Sequence, residues 1–237
     1  MRILITSGGT KVPIDRVRHI ANMSSGTFGS QIATEFLLDG HEVIFFAAKN
    51  SKTPFSVRGD MHEDPEGTRQ RLHDVDSLQR VCGEHQYSQQ FYTDYLSYFT
   101  GLKMLIHNQQ PDIIILAAAV SDYGVVDPVD GKIRTSDEMS IELEPLPKVI
   151  SEIKKWSPDC KLVGFKLLVD STDSELIANA RKSIESNRCD MVVANDLRDI
   201  KQDNHRLTIV KPDEKPRVYT KSGRKNYLAR VVVEEST

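Results

Sequence analysis

Cysteine is scarce in this chain, and what there is does not pair. Cys82, Cys160 and Cys189 are the three in 237 residues, widely spaced and with no C-x-x-C among them. Three thiols cannot all form disulfides within one chain, so a reducing compartment and a fold without structural zinc are expected. Cys160 and Cys189 adjoin apolar runs, which marks them as core residues rather than reactive thiols. Long apolar runs are also missing. No stretch reaches the roughly 18 residues of a membrane helix. The chain enters a strand at once, from Arg2 to Thr6, with no basic segment leading an apolar one. Neither a membrane span nor a secretory leader is expected, and the default location is the cytoplasm. Charge of one sign is lacking too: 31 basic side chains against 34 acidic ones give a formal net charge of −3. That balance supplies no general field for nucleic acid or an anionic membrane.

What is present is ordinary for a globular protein, with 39% hydrophobic and 27% charged residues. The length suits one large domain or two small ones, and we expect a single domain over 1–237. Short, mainly apolar runs at 2–6, 42–47, 162–165 and 191–194, and a wholly apolar one at 113–117, read as buried strands. Between them lie stretches with helical spacing. Residues 28–39 carry Ile32, Ala33, Phe36 and Leu37 on one face and stop at Gly40. Residues 91–108 carry Tyr95, Phe99, Leu102 and Ile106; residues 147–156 carry Val149, Ile150 and Ile153; a further helix is expected over 173–187. Segments 207–210 and 217–219 suggest a closing hairpin. Strands apolar on both faces and separated by helices predict an α/β, Rossmann-like, mostly parallel sheet with helices on both faces. Two stretches break the alternation. Residues 49–90 are long, charged and aperiodic, which reads as a mobile insertion or a lid. In 125–145, Lys132 to Thr135 and the alternating Met139, Ile141 and Leu143 predict a β-hairpin projecting from the sheet.

In such sheets ligands lie beyond the carboxyl ends of the strands. The motif TSGGT at 6–10 follows the first strand, and its glycines let backbone N–H groups approach an anion; a plain structural turn fits it equally well. NMSSGTFG at 22–29 runs into a helix that Ser24 or Ser25 would cap, with Gly26 and Gly29 permitting close approach. A helix N-terminus offers free N–H groups and a favourable dipole to phosphate. The two loops are separated by residues 11–25, so no dinucleotide fingerprint joins them, and no G-x-x-x-x-G-K-[ST] loop exists. AAAVSDY at 117–123 brings Ala118 and Asp122 to the next strand end, where small residues admit a ligand or merely close packing. GKIR at 131–134 would set Lys132 and Arg134 on one side of a strand, for phosphate or a developing oxyanion, or else as a solvated edge. At the ends of later strands, Phe165 is suited to stack on a base and Asn195 to bond its edge; a core aromatic and a turn residue are the plain alternatives.

Taken in order, TSGGT-x-x-P-I-D, NMSSGTFG, AAAVSDY, KIR, GFK and VVANDL resemble the phosphopantothenoylcysteine synthetase family from residue 2 to about residue 197, least so over 49–90. The resemblance implies a ligase of coenzyme A biosynthesis. Such an enzyme activates the 4′-phosphopantothenate carboxylate with a nucleoside triphosphate as an acyl nucleotide, then couples it to the amine of L-cysteine. It implies catalytic roles for Asn22, at the acyl nucleotide, and for Lys132, in forming or turning over that intermediate. It further implies phosphate binding by Gly9, Ser24, Ser25, Gly26 and Gly29, a nucleotide wall at Ala118 and Asp122, and base or ribose contacts at Phe165 and Asn195. CTP or ATP would be the co-substrate, with Mg2+ held mainly through phosphates and water. No flavin is expected, because the resemblance does not extend to the decarboxylase fused in bifunctional members. A homodimer is implied, with 125–145 pairing or closing over the site. Bifunctional members carry lysines in the 173–187 helix, where Ser183 and Asn187 stand here beside Arg181 and Lys182. Two other readings stay open: an NAD(P)-dependent oxidoreductase, against which no acid follows the second strand at Ala47, Ala48 and Lys49, and a non-catalytic nucleotide-binding module.

Overall fold

The structure, a computed structural model, describes residues 1–57, 63–83, 85–135, 139–201, 205–223 and 226–237. The first strand, β1 (Arg2–Ser7), is followed by a small hairpin of β2 (Lys11–Pro13) and β3 (His19–Ala21), then helix α1 (Thr27–Leu38) and β4 (Glu42–Ala48). Next come α2 (Pro65–Val81), β5 (Tyr87–Tyr92), α3 (Tyr95–Gln109) and β6 (Ile113–Leu116). A second small pair, β7 (Tyr123–Val125) and β8 (Leu143–Pro145), precedes α4 (Ile150–Trp156), β9 (Lys161–Leu168), α5 (Asp173–Asn187) and β10 (Met191–Asp196). The chain then runs through α6 (Leu197–Lys201), β11 (Arg206–Val210), β12 (Arg217–Thr220) and α7 (Tyr227–Ser236).

Eight strands form one sheet in the order β12-β11-β10-β9-β6-β1-β4-β5. The six from β10 to β5 are parallel; β11 adds antiparallel to β10, and β12 antiparallel to β11. The expected α/β architecture is therefore observed. Alternation within each strand explains why both faces are buried. Ile3, Ile5, Val43, Phe45, Ile113 and Ile115 face a cluster completed by α1, α2 and α7. Leu4, Ile44, Phe46 and Ile114 face the other side, with Leu102 and Ile106 of α3, Ile153 of α4 and Leu176 and Ala180 of α5. Cys160 and Cys189 lie in this second cluster, buried as expected, and Cys82 is half-buried.

Several elements differ from the sequence reading. Residues 49–90 are not a plain loop: they contain α2 and all but the last two residues of β5, although 58–62 and 84 lie outside the described residues. Neither element has a clear periodicity, since α2 buries only Thr68 and Leu78 and β5 is an edge strand with a polar centre. The helix expected from residue 91 starts at Tyr95. Phe91 and Tyr92 still belong to β5, and Asp94 caps the helix by accepting from Ser97 N while Ser97 Oγ accepts from Asp94 N. The hairpin in 125–145 is closed by β7 and β8. Lys132 to Thr135 are not strand, so no pleat aligns Lys132 with Arg134, and 136–138 lie outside the described residues. The hairpin of β2 and β3 and the helix α7 were not anticipated.

Candidate functional site

The parallel strands reverse their order of growth at β1. The chain moves from β1 outward to β4 and β5, then returns to β6 on the other side. The chain leaves the carboxyl ends of β1 and β6 toward opposite faces of the sheet, and a switch point of this kind is where such a sheet binds ligands. The TSGGT turn leaves β1 there and the AAAVSDY segment leaves β6. They are stitched together: Ala119 N donates to Gly8 O at 2.8 Å, Thr10 N to Ala119 O at 3.2 Å and Ser121 N to Thr10 Oγ1 at 2.8 Å.

Asn22 joins this stitch from the end of β3. Its Nδ2 reaches the carbonyls of Ala119 and Val120, at 3.4 Å each. Its own carbonyl fills the space above Gly9, where a Cβ would lie 2.8 Å from it. Gly9, Asn22 and the Ala118 to Val120 strand end are thus one assembly, with Asn22 exposed at its rim. Gly26 opens α1 at φ 76°, a left-handed conformation, and Ser7 Oγ donates to its carbonyl at 3.1 Å. Gly29 packs directly on the Ser7 side chain. Gly26 is itself the N-cap, which corrects the expectation that Ser24 or Ser25 caps the helix by its side chain. Ser25 Oγ instead bonds Thr27 Oγ1 at 2.8 Å and lies a long 3.4 Å from Thr27 N. Ser24 N donates to Asn22 O, and Lys52 N to Ser25 O, so the loop after β4 closes on the same helix start.

The other expected residues lie further out. Asp122 is exposed and ion-paired with Lys148 at 3.2 Å. Phe165 on β9 and Asn195 on β10 are two and three strands from β1. Phe165 is nonetheless linked to the helix start, packing edge-on to Phe28 at 6.0 Å, and His205 sits 5.6 Å from Phe28 on its other contact. Burial, aided by Lys221, holds the His205 imidazole pKa below its usual value, against the pull of Asp199. Beside Asn195, Asp196 is buried and accepts from Asp170 N, Ser171 N, Ser171 Oγ and Arg198 N. Led by the Ser171 N–H, these donors hold its carboxyl at about 2.

Lys132 is exposed, and its segment is fastened to the turn between β2 and β3. Ile133 N donates to Asp15 Oδ2 at 3.1 Å, and Arg18 Nη2 donates to Ile133 O at 2.8 Å. Asp15 closes the TSGGT-x-x-P-I-D motif, but sequence reasoning gave it no role and missed Arg18; an Asp three residues before an Arg across a tight turn is the signal that could have found the pair. It also missed Tyr92, whose hydroxyl donates to Ser7 O at 2.8 Å and to Gly8 O at 3.2 Å. Among the described residues, no three His, Cys, Asp or Glu side chains gather to hold a metal. A cleft of about 410 Å³ beside His107, Trp156 and Asp159 lies at the opposite, amino ends of β6 and β9, away from these loops.

The arrangement offers backbone N–H groups, hydroxyls and one exposed amide at the strand ends, a setting for phosphate and for a polarised carbonyl. Comparison with known proteins narrows it. Residues 1–62 and 101–237 match the family model of the DNA/pantothenate metabolism flavoprotein C-terminal domain. The coenzyme A biosynthesis bifunctional protein CoaBC of Thermococcus kodakarensis is 32% identical over 90% of this chain, which spans 45% of that relative's length. The human phosphopantothenate–cysteine ligase is 31% identical over 82% of this chain and 72% of its own. A solved Cab2 variant in complex with phosphopantothenate-cysteine is 25% identical, with a TM-score of 0.78 over 99% of this chain and 84% of its own. The chain belongs to the family of the DNA/pantothenate metabolism flavoprotein C-terminal domain, that of the phosphopantothenate–cysteine ligases.

Proposed function

We propose that this chain, acting as one domain over 1–237, is a phosphopantothenate–cysteine ligase. In the first step the carboxylate of 4′-phosphopantothenate attacks the α-phosphorus of a nucleoside triphosphate. The bond to the leaving pyrophosphate breaks and an acyl nucleotide forms. In the second, the amine of L-cysteine attacks the acyl carbon, loses a proton, and the nucleoside monophosphate leaves. Both steps bring anions together and develop charge on oxygen, so preorganised donors are the main need.

The observation that carries this reading is the assembly of Asn22 with Gly9 and the Ala119 and Val120 carbonyls at the switch point. The two bonds from the Asn22 amide are long, so it can turn toward a substrate carbonyl at little cost. Gly9, Ser24, Ser25, Gly26 and Gly29 would present N–H groups and hydroxyls to the phosphates at the start of α1. Ala118 and Asp122 would wall the nucleotide, and Phe165 and Asn195 would meet its base or ribose. Lys132 would supply a cation at the reacting carboxylate. CTP and ATP both suit this arrangement. Carboxylates are sparse at these loops, so Mg2+ would ride on the phosphates and water rather than in a protein cage. The chemistry transfers no electrons between redox partners and calls for no flavin. The phosphopantothenate-cysteine in the similar Cab2 variant is the product such a ligation forms. Exposed Met139 and Leu143 on the segment that ends in β8 give an apolar face for a homodimer, and a monomeric mass in solution would remove that part. The reaction would run in the cytoplasm.

The deciding experiment is pyrophosphate release with 4′-phosphopantothenate, comparing CTP with ATP, with and without cysteine. Release with one nucleotide, and phosphopantothenoylcysteine only when cysteine is added, is expected. No release with either would sink the ligase.

A further inference from the structure

Asp15 has a side chain with no exposed surface, in a turn otherwise open to solvent. Oδ1 accepts from Val17 N and Arg18 N, at 2.7 Å each, and closes the turn between β2 and β3. Oδ2 is spent elsewhere: it accepts from Ile133 N at 3.1 Å, 118 residues along the chain, and lies 3.7 Å from Arg18 Nη1. Arg18 Nη2 donates to the carbonyl of the same residue, Ile133, at 2.8 Å. Both backbone groups of Ile133 are therefore held by two side chains three residues apart. Further bonds run alongside: Val129 N to Ile14 O and Arg16 N to Gly131 O, each at 2.9 Å, and Arg16 Nε to Asp130 Oδ1 at 2.7 Å.

Ile133 follows Lys132 directly, and β3 leads from the same turn straight into Asn22. We infer that Asp15 is a positioning residue: it clamps Ile133 so that Lys132 is held in fixed register with Asn22 across the site. Its relevance to catalysis rests on the ligase reading; the clamp itself does not. Burial opposes the charge on Asp15, yet the three N–H donors and Arg18 outweigh it and keep the carboxyl ionised below its usual pKa. A local turn needs only one oxygen of this carboxylate. The second is the part that a merely structural aspartate would not require.

Asp15→Asn separates the two uses. The amide oxygen can still serve Val17 and Arg18, which leaves an NH2 facing the Ile133 N–H, two donors in opposition. Trypsin reads the segment directly, because Lys132 and Arg134 are its cleavage sites. Loss of this charge-assisted bond is expected to raise native-state cleavage after both by about 10-fold, at an unchanged cleavage rate elsewhere. In the ligase assay kcat should fall about 10-fold or more, with KM for the nucleotide unchanged, because a misplaced group costs rate rather than binding. Ile133→Pro removes the donor without touching Asp15 or its turn; trypsin does not cut a Lys–Pro bond, so in this variant cleavage after Arg134 alone carries the comparison where Asp15→Asn does not fold. Wild-type tryptic rates at Lys132 and Arg134 in folded Asp15→Asn, or at Arg134 in Ile133→Pro, overturn the clamp; altered cleavage with an unchanged kcat overturns its role in positioning. If the wild-type protein releases no pyrophosphate, the ligase reading fails alone, and the tryptic comparison still decides whether Asp15 holds the segment.

Discussion

Gly26 enters α1 at φ 76°, and a β-carbon there would lie 2.9 Å from the Cβ of Ser51 and 3.0 Å from Oγ of Ser7. Both the conformation and the space exclude a side chain, so Gly26→Ala should cost about 1–3 kcal/mol. A urea midpoint equal to that of the wild-type protein would contradict this. Asn22 presents the opposite case, since its side chain is exposed and its hydrogen bonds are weak. Asn22→Asp should leave the thermal midpoint near the wild-type value but cut pyrophosphate release by about 100-fold, as loss of a preorganised donor does. Undiminished release would take Asn22 out of the chemistry. Gly26 was legible in the sequence because glycine spacing and a helix start are local patterns, whereas Asn22 was legible only through the family resemblance. The roles of Asp15, Arg18 and Tyr92 were not, because each acts on a backbone group far along the chain.

Two elements hold the strand-end loops through single side chains. Tyr92 ends β5, the edge strand, yet its buried hydroxyl reaches across to the carbonyls of Ser7 and Gly8. Burial, with Tyr98 beside it, raises its pKa far above the usual phenol range, so it stays a neutral donor. Tyr92→Phe should destabilise the protein by about 1 kcal/mol and weaken nucleotide binding, measured by titration calorimetry; unchanged affinity would show that the turn does not depend on β5. At β10, Asp196 gathers the loop between β9 and α5. Its folded carboxyl at about 2 lies below the ordinary 3.8, so the unfolded chain binds the proton more readily. The stability it contributes is complete above 3.8 and is lost as pH falls through about 2. Urea midpoints across that window should fall less steeply for Asp196→Asn than for wild type; equal slopes would assign the acid sensitivity elsewhere. The main strands and α1, α4 and α5 could be read from apolar spacing. The helix α2 and strand β5 could not, because one buries little and the other lies at a margin with polar residues at its centre.

At the scale of the molecule, both faces of the sheet are closed, and the last helix does much of that closing. Leu228, Val231, Val232 and Val233 of α7 are buried against the face that α1 shares. Arg230 pairs with Asp39 at the end of α1, and Glu235 takes Lys211, Arg217 and Tyr219. Each buried aliphatic side chain is worth about 1.5–3 kcal/mol, against a net stability of about 5–15 kcal/mol for a whole domain. Removing 226–237 should therefore abolish cooperative unfolding; a sharp thermal transition in the truncated chain would contradict this. Helix α7 was not legible in the sequence, because its valine run at 231–233 carries no sign of where it docks. The family model skips 63–100, the stretch that supplies α2 and β5. That stretch also sets one margin of the sheet, where β5 shows Ser88, Gln89 and Gln90, while β12 at the other margin shows Arg217 and follows Pro216. Polar and charged margins make poor templates for strand addition, so these residues disfavour edge-to-edge pairing between copies of the chain, although Phe91 and Val218 on the same two strands stay exposed.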